Sequence, residues 1–257
     1  MPTGKEIMSR AGVLLSDEKH VRWTLPELCD WVNEATRAIV LAKPSAFSKT
    51  VVVALTSGTR QAVPVNGDPI PLMLIGITRN IIWEPPYPDP NVFPPLPPPE
   101  QPAPGTIVIV DEPRKAGRSI RRTDSLVLDS LTPNWHMPQR VQFTKEVRNY
   151  CFDELVPLEF QVYPGNDGTG FVEAKISFVP APIAATGDVN NVDSYASQIG
   201  LPEPYSVPLL DYTLYRSQMK DDTDGAAGRS AIHYQQFASA IGMKVQVEKT
   251  HSPNART

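Results

Sequence analysis

The sequence predicts an α+β protein in which N- and C-terminal helices, forming a helical bundle, flank an antiparallel β-sandwich or barrel-like domain that carries a Pro-rich extended loop. Three observations predict it. Capped amphipathic stretches open and close the chain. Between them, β-branched runs alternate with turn residues at the spacing of an antiparallel sheet protein. Eleven of the 28 prolines fall between 84 and 104, where neither helix nor sheet interior can continue. The chain therefore divides into N-terminal helices at 1–48, a β-rich domain at 49–183, a linker and helical hairpin at 184–242, and an extended tail at 243–257.

The first helix starts from a capping box, Thr3 with Glu6, and carries Ile7, Ala11 and Leu14 at helical intervals. Thr24 and Glu27 repeat the box. Behind them Leu25, Leu28, Cys29, Val32, Ala35 and Ile39 form a one-sided apolar stripe that stops before Pro44. Strand-forming runs follow at 50–56 and 60–65, the second leading to Asn66-Gly67, a strong hairpin signal. The run at 72–83 fits strand or helix equally, because its apolar continuity does not choose between them. Further strands are expected at 106–110, 118–131, 145–155, 158–164 and 170–180, with a turn at 165–168.

After a small-residue linker, Leu210, Leu214 and Tyr215 give one helix face. Ala231, Tyr234, Phe237, Ala238 and Ile241 give the next, ended by Gly242. The residues beyond it read as a mildly basic, strand-capable tail. The proline-rich run would reach about 65 Å at ~3.1 Å per residue. It reads either as a solvated loop or as an arm lying on a neighbouring subunit, anchored by Tyr87, Phe93 and Leu96.

Composition bounds the function classes. A net charge of −4 without a basic stripe argues against gripping nucleic acid, although DNA sliding past an acidic wall stays open. Cys29 and Cys151 lie too far apart for a metal motif and read as reduced, buried thiols. The N-terminal residues lack the apolar core of a signal peptide, and no run reaches the length of a membrane span, so cytoplasmic synthesis is expected.

Chemistry-bearing motifs are sparse. No phosphate-binding glycine loop, HExxH pair or GxSxG elbow is present. Histidines 20, 136, 233 and 251 lack i,i+4 partners, so neither a metal nor a cofactor is expected. The acidic run 221–225 lacks the ligand spacing of a calcium loop and reads as a solvated turn. Asp124 and Asp129, read on a strand, would point to opposite faces rather than share a proton.

Several fragments, taken in order, resemble a known group. HVRWTLPELCDWVNEATRAIVLAKP at 20–44, LVLDSLTPNW at 126–135 and YCFDELVPLEFQVYPG at 150–165 look like the head-to-tail adaptors, or tail-tubular-A-like proteins, of short-tailed bacteriophages. So do VEAKISFVPAPI at 172–183, DYTLYRSQMKDD at 211–222 and GRSAIHYQQFASAIG at 228–242. The resemblance implies a structural virion protein without catalytic activity. Such proteins form a ring, usually dodecameric, beneath the portal protein and extend the DNA channel, and they offer a platform to a downstream tail or nozzle protein. It also implies portal docking through the C-terminal tail, here Lys244, Val245, Val247 and Lys249. The run at 84–104 looks like an insertion relative to that pattern.

A ring closes through a heterologous interface that uses two different surfaces of each subunit. Trp31, Trp135, Tyr212 and Tyr215 are candidate anchors, with core packing the alternative for each. The rival readings are another tail or baseplate part with a carbohydrate-binding or receptor-facing β-module, and a hydrolase whose site is assembled from distant carboxylates.

Overall fold

A computed structural model of the chain describes residues 1–65, 69–82, 102–108, 115–220 and 226–251, with the backbone alone at 226–227 and 243–251. The chain forms two compact units, Ser48–Phe178 and the pairing of Met1–Phe47 with Val179–Thr257.

The helical unit begins with α1 (Gly4–Leu14) and α2 (Leu25–Ala42). Both capping boxes form. Thr3 Oγ1 accepts from the Glu6 N–H at 3.2 Å, and Glu6 Oε2 accepts from the Thr3 N–H at 3.0 Å. Glu27 reaches back to Thr24 in the same way. The link between the helices is organised by Asp17, whose carboxylate accepts from the backbone N–H groups of Val21, Arg22 and Trp23 at 2.9–3.0 Å. Desolvation pushes that carboxyl up, but those three N–H donors outweigh it and hold it below the usual range.

The predicted apolar stripe of α2 is buried from Leu25 to Val40. It packs on α4 (Ser206–Met219), which is also in contact with α1. Three polar ties lock α2 and its approach to later segments. Trp23 Nε1 donates to the Ser217 carbonyl at 3.0 Å. The Asn33 amide donates to the Ile183 carbonyl at 2.9 Å and accepts from its N–H at 2.8 Å. Glu27 takes Lys220 Nζ at 2.6 Å. Ile183 therefore packs within the helical unit rather than closing the β-rich domain, because its backbone pairs with Asn33.

The last helix, α5 (Ala226–His251), runs on through Gly242, where a helix end and an extended tail are the sequence expectation. A glycine in a helix interior costs only about 1 kcal/mol relative to alanine, and no proline intervenes before Pro253. Among the described residues no helix is long and apolar enough to cross a membrane.

The β unit holds two sheets. One contains β1 (Ser48–Ala54), β3 (Pro71–Ile82), β4 (Ile107–Val108), β5 (Lys115–Ser119) and β9 (Phe171–Phe178), in the antiparallel order β4-β1-β9-β3-β5. The other contains β2 (Gly58–Ala62), β6 (Arg121–Arg122), β7 (Asn149–Phe152) and β8 (Glu159–Asn166), in the order β2-β8-β7-β6, with β6 and β7 parallel. The ambiguous apolar run thus settles as strand β3, paired on both sides. Residues 66–68 lie outside the described set, and the strands that flank them join different sheets. The predicted hairpin pairing is not made; β2 pairs with β8 instead.

A second correction concerns SLVLDSL. It forms a helix, α3 (Ser125–Leu131), instead of continuing a strand. The Asp124 side chain caps it by accepting from the Leu126 N–H at 3.0 Å, and Pro133 follows its end. Local capping here outweighs the β-like apolar run.

Two fully hydrogen-bonded asparagines fix the β unit. The Asn166 amide accepts from Gly168 and Gly170 and donates to the Thr144 and Lys145 carbonyls, all at 2.8–3.2 Å. Gly170 is needed there, since a Cβ would lie 2.3 Å from both Asn166 Nδ2 and the Lys145 carbonyl oxygen. Asn80 on β3 donates to the carbonyls of Arg118 and Val147 and accepts from the Val147 N–H.

Candidate functional site

The resemblance implies a protein that acts through its surfaces, so the aromatic anchors named above mark where a site is to be sought. Tyr212 and Tyr215 project from α4 with three-residue spacing, which puts them on one helix face. On α5, Tyr234 and Phe237 repeat that spacing. The two pairs meet. Tyr212 and Phe237 stack edge-on with centroids 4.9 Å apart, Tyr215 and Tyr234 lie 5.1 Å apart, and Tyr212 and Tyr215 are 5.6 Å apart. Aromatic pairs at these distances add about 0.5–1.5 kcal/mol beyond their area burial.

Burial is uneven along this ladder. Phe237 and Ile241 are buried against α4, whereas Tyr234 is 49% exposed. Across α5 from the buried stripe, Ala231, Ile232, Gln235, Ala238 and Ser239 are all exposed. Burial pushes the Tyr212 hydroxyl up in pKa, and the nearby Glu34 adds to that. Tyr234 and Phe237 were legible as a helix face but not as members of this ladder. The matching spacing of the two aromatic pairs is the signal that finds them.

A polar pair sits beside the rings. His233 Nδ1 lies 3.4 Å from Asp211 Oδ1. Burial raises the Asp211 pKa, and His233 only partly offsets this. An aspartate with a raised folded pKa binds more protons folded than unfolded, so its stabilising share is complete below the ordinary carboxylate pKa. That share is lost as pH rises through the raised value. Asp211→Asn is therefore expected to raise the melting temperature near neutral pH, with the gain fading in acid below the ordinary carboxylate pKa. Thermal unfolding followed by circular dichroism across pH checks this.

The other sequence-derived residues are not brought to this ladder. Trp31 is half-buried on α2. Trp135 is fully buried in the β unit beside Leu128 and Cys151, and its Nε1 donates to Asp129 at 2.8 Å. Its surroundings are core packing. Tyr87, Phe93 and Leu96 lie outside the described residues, as does the acidic run at 221–225. The side chains of Lys244, Val245, Val247 and Lys249 lie outside them too, with their backbone helical in α5.

Asp124 caps α3 and Asp129 holds Trp135, so both act structurally rather than standing on a strand. Both cysteines are free and buried. Burial pushes the Cys151 thiol up to about 11, with Asp124 and Asp129 contributing, which is opposite to the tuning of a nucleophile. Among the described residues no group of three or more His, Cys, Asp or Glu side chains is placed to hold a metal ion.

Comparison with known proteins decides the family. The model of the SU10 adaptor protein family matches residues 2–257. The chain belongs to that family. No curated protein sequence matches it. As an SU10 adaptor it is a structural component of a bacteriophage virion, with a role in joining head and tail. The fragments that carry the resemblance now have a physical meaning in this adaptor. In the fragment at 20–44, Trp23 binds the end of α4, Asn33 clamps Ile183, and Glu34 lies 3.0 Å from Arg216 of α4. They interlock the helices.

Proposed function

We propose that this SU10 adaptor assembles into a dodecameric ring beneath the portal, extends the DNA channel, and presents its β unit to the next tail component. The observation that carries the reading is α5, which packs one stripe on α4 and leaves its opposite, largely small-residue face without a partner among the described residues. A helix that contributes only one face to its own subunit suits a ring in which the other face meets a neighbour. In this reading Tyr212, Tyr215 and Tyr234 stiffen the hairpin from within, and Trp31 and the arm of Tyr87, Phe93 and Leu96 supply contacts to adjacent subunits. Segment 243–257 docks on the portal through Lys244, Val245, Val247 and Lys249. The ring is assembled in the host cytoplasm, lies at the neck of the virion, and takes no cofactor.

The carbohydrate-binding alternative calls for stacking aromatics on an exposed face. Among the described residues of the β unit, every Phe, Tyr and Trp side chain is buried or half-buried. Native mass measurement of the purified chain, alone and mixed with the portal protein of the same virus, tests the proposal. A discrete ring-sized complex that appears with the portal supports it and counts the subunits. Failure to associate under several salt conditions rejects it.

A further inference from the structure

The chain carries a net negative charge, yet hydrogen bonds in the β unit bring the backbone of arginines scattered in sequence to one corner. Asn80, only 3% exposed, is the centre of that corner. Its Nδ2 donates to the Arg118 carbonyl at 2.9 Å and to the Val147 carbonyl at 2.8 Å, and its Oδ1 accepts from the Val147 N–H at 2.9 Å. Arg79 precedes Asn80 on β3 and stands opposite Ser119. Arg148 follows Val147, and its carbonyl accepts from the Arg121 N–H at 3.1 Å. One buried amide thus fixes the backbone of Arg79, Arg118, Arg121 and Arg148 within a residue or two of itself. All four side chains are exposed.

Few carboxylates answer these charges. Arg79 has Glu173 at 3.4 Å, and Arg122, next along β6, has Glu154 at 3.4 Å. Arg118, Arg121 and Arg148 make no ion pair among the described residues; Glu146 and Asp124 lie two and three positions from Arg148 and Arg121 in the chain, and Asp124 is taken up in capping α3. The other exposed residues on 79–82, 115–122 and 147–149 are Lys115, Ala116, Ser119 and Arg122, and none of the exposed large apolar residues lies there. Protein interfaces centre on an apolar patch, which this corner lacks. Guanidinium groups matched with small polar residues are the chemistry of phosphate contacts. Single strands need exposed aromatic rings on which bases stack, and the strand segments of this corner carry none.

We propose that the arginine corner built on Asn80 binds the phosphate backbone of duplex DNA without reading its sequence. The proposal stands on Arg118, Arg121 and Arg148 and does not require the ring.

The test is fluorescence anisotropy of a labelled short duplex of arbitrary sequence, titrated with the full chain between about 50 and about 200 mM salt. Binding is expected to weaken steeply with salt. The slope of log affinity against log salt should be about −3, one unit for each unpaired arginine. The triple variant Arg118→Gln, Arg121→Gln, Arg148→Gln should lose roughly tenfold or more in affinity at the lowest salt and flatten that slope. A control triple with the same charge change elsewhere, Arg10→Gln, Arg37→Gln, Arg140→Gln, should bind as the wild type does. No binding at the lowest salt overturns the proposal, and so does an equal loss in both triples. Polyglutamate that binds as tightly as the duplex assigns the corner to an acidic protein surface and overturns it as well.

Discussion

Trp135→Ala is expected to lower the stability of the β unit by about 3–5 kcal/mol, the range for removing a large aromatic from a packed core. The side chain is fully buried. It packs with Leu128 and Cys151, with Val141 and Tyr163 against the same cluster, and its ring meets Tyr163 edge-on at 6.1 Å. The turn that carries it follows α3 directly, so the cavity opens beneath a seven-residue helix whose other apolar side chains, Leu126, Val127 and Leu131, are exposed. Such a short helix is held by tertiary packing rather than by its own propensity. The fall in stability should therefore come with loss of the α3 helical signal. Urea unfolding checks the first part and amide exchange at 125–131 the second. A change within about 0.5 kcal/mol, the range of ordinary surface substitutions, would contradict the burial described here.

Asn80→Ala should cost about 3 kcal/mol or more. The amide saturates three buried or partly buried backbone groups, the carbonyls of Arg118 and Val147 and the Val147 N–H. Each buried polar group left without a partner costs about 1–3 kcal/mol, whereas a hydrogen bond that is simply exchanged for water costs less. Val147 belongs to the segment that leads into β7, and residue 118 belongs to β5, so one side chain joins strand segments of the two sheets. Asn80→Asp keeps the acceptor for Val147 but loses both donors, and it should be nearly as damaging. A shift of the urea midpoint at unchanged slope is the expected signature, because folded and unfolded compactness should not change.

Much of the helical unit was legible in the sequence because its signals are local. Thr3 with Glu6 and Thr24 with Glu27 are read within one turn, and the stripe from Leu25 to Ile39 needs only helical periodicity. Where partners are distant the sequence is silent. Asn66-Gly67 proposes a hairpin from two residues, but pairing is decided by strands more than 90 residues away, and β2 goes to β8. SLVLDSL reads as strand by apolar content, while the Asp124 cap and the following proline make it a helix. The arginine corner of the β unit was hidden for the same reason. Arg79, Arg118, Arg121 and Arg148 span 70 positions, so no window of the sequence contains the corner that Asn80 assembles.

The central claim, that this SU10 adaptor is the ring between portal and tail, is tested most directly by a cryo-electron microscopy reconstruction of the neck of its own virion. The account predicts a symmetric ring of density directly beneath the portal, into which the helical unit and the β unit each fit, with exposed α5 faces buried against neighbouring subunits. Density for the chain elsewhere in the particle, or as single copies without a ring, would contradict it.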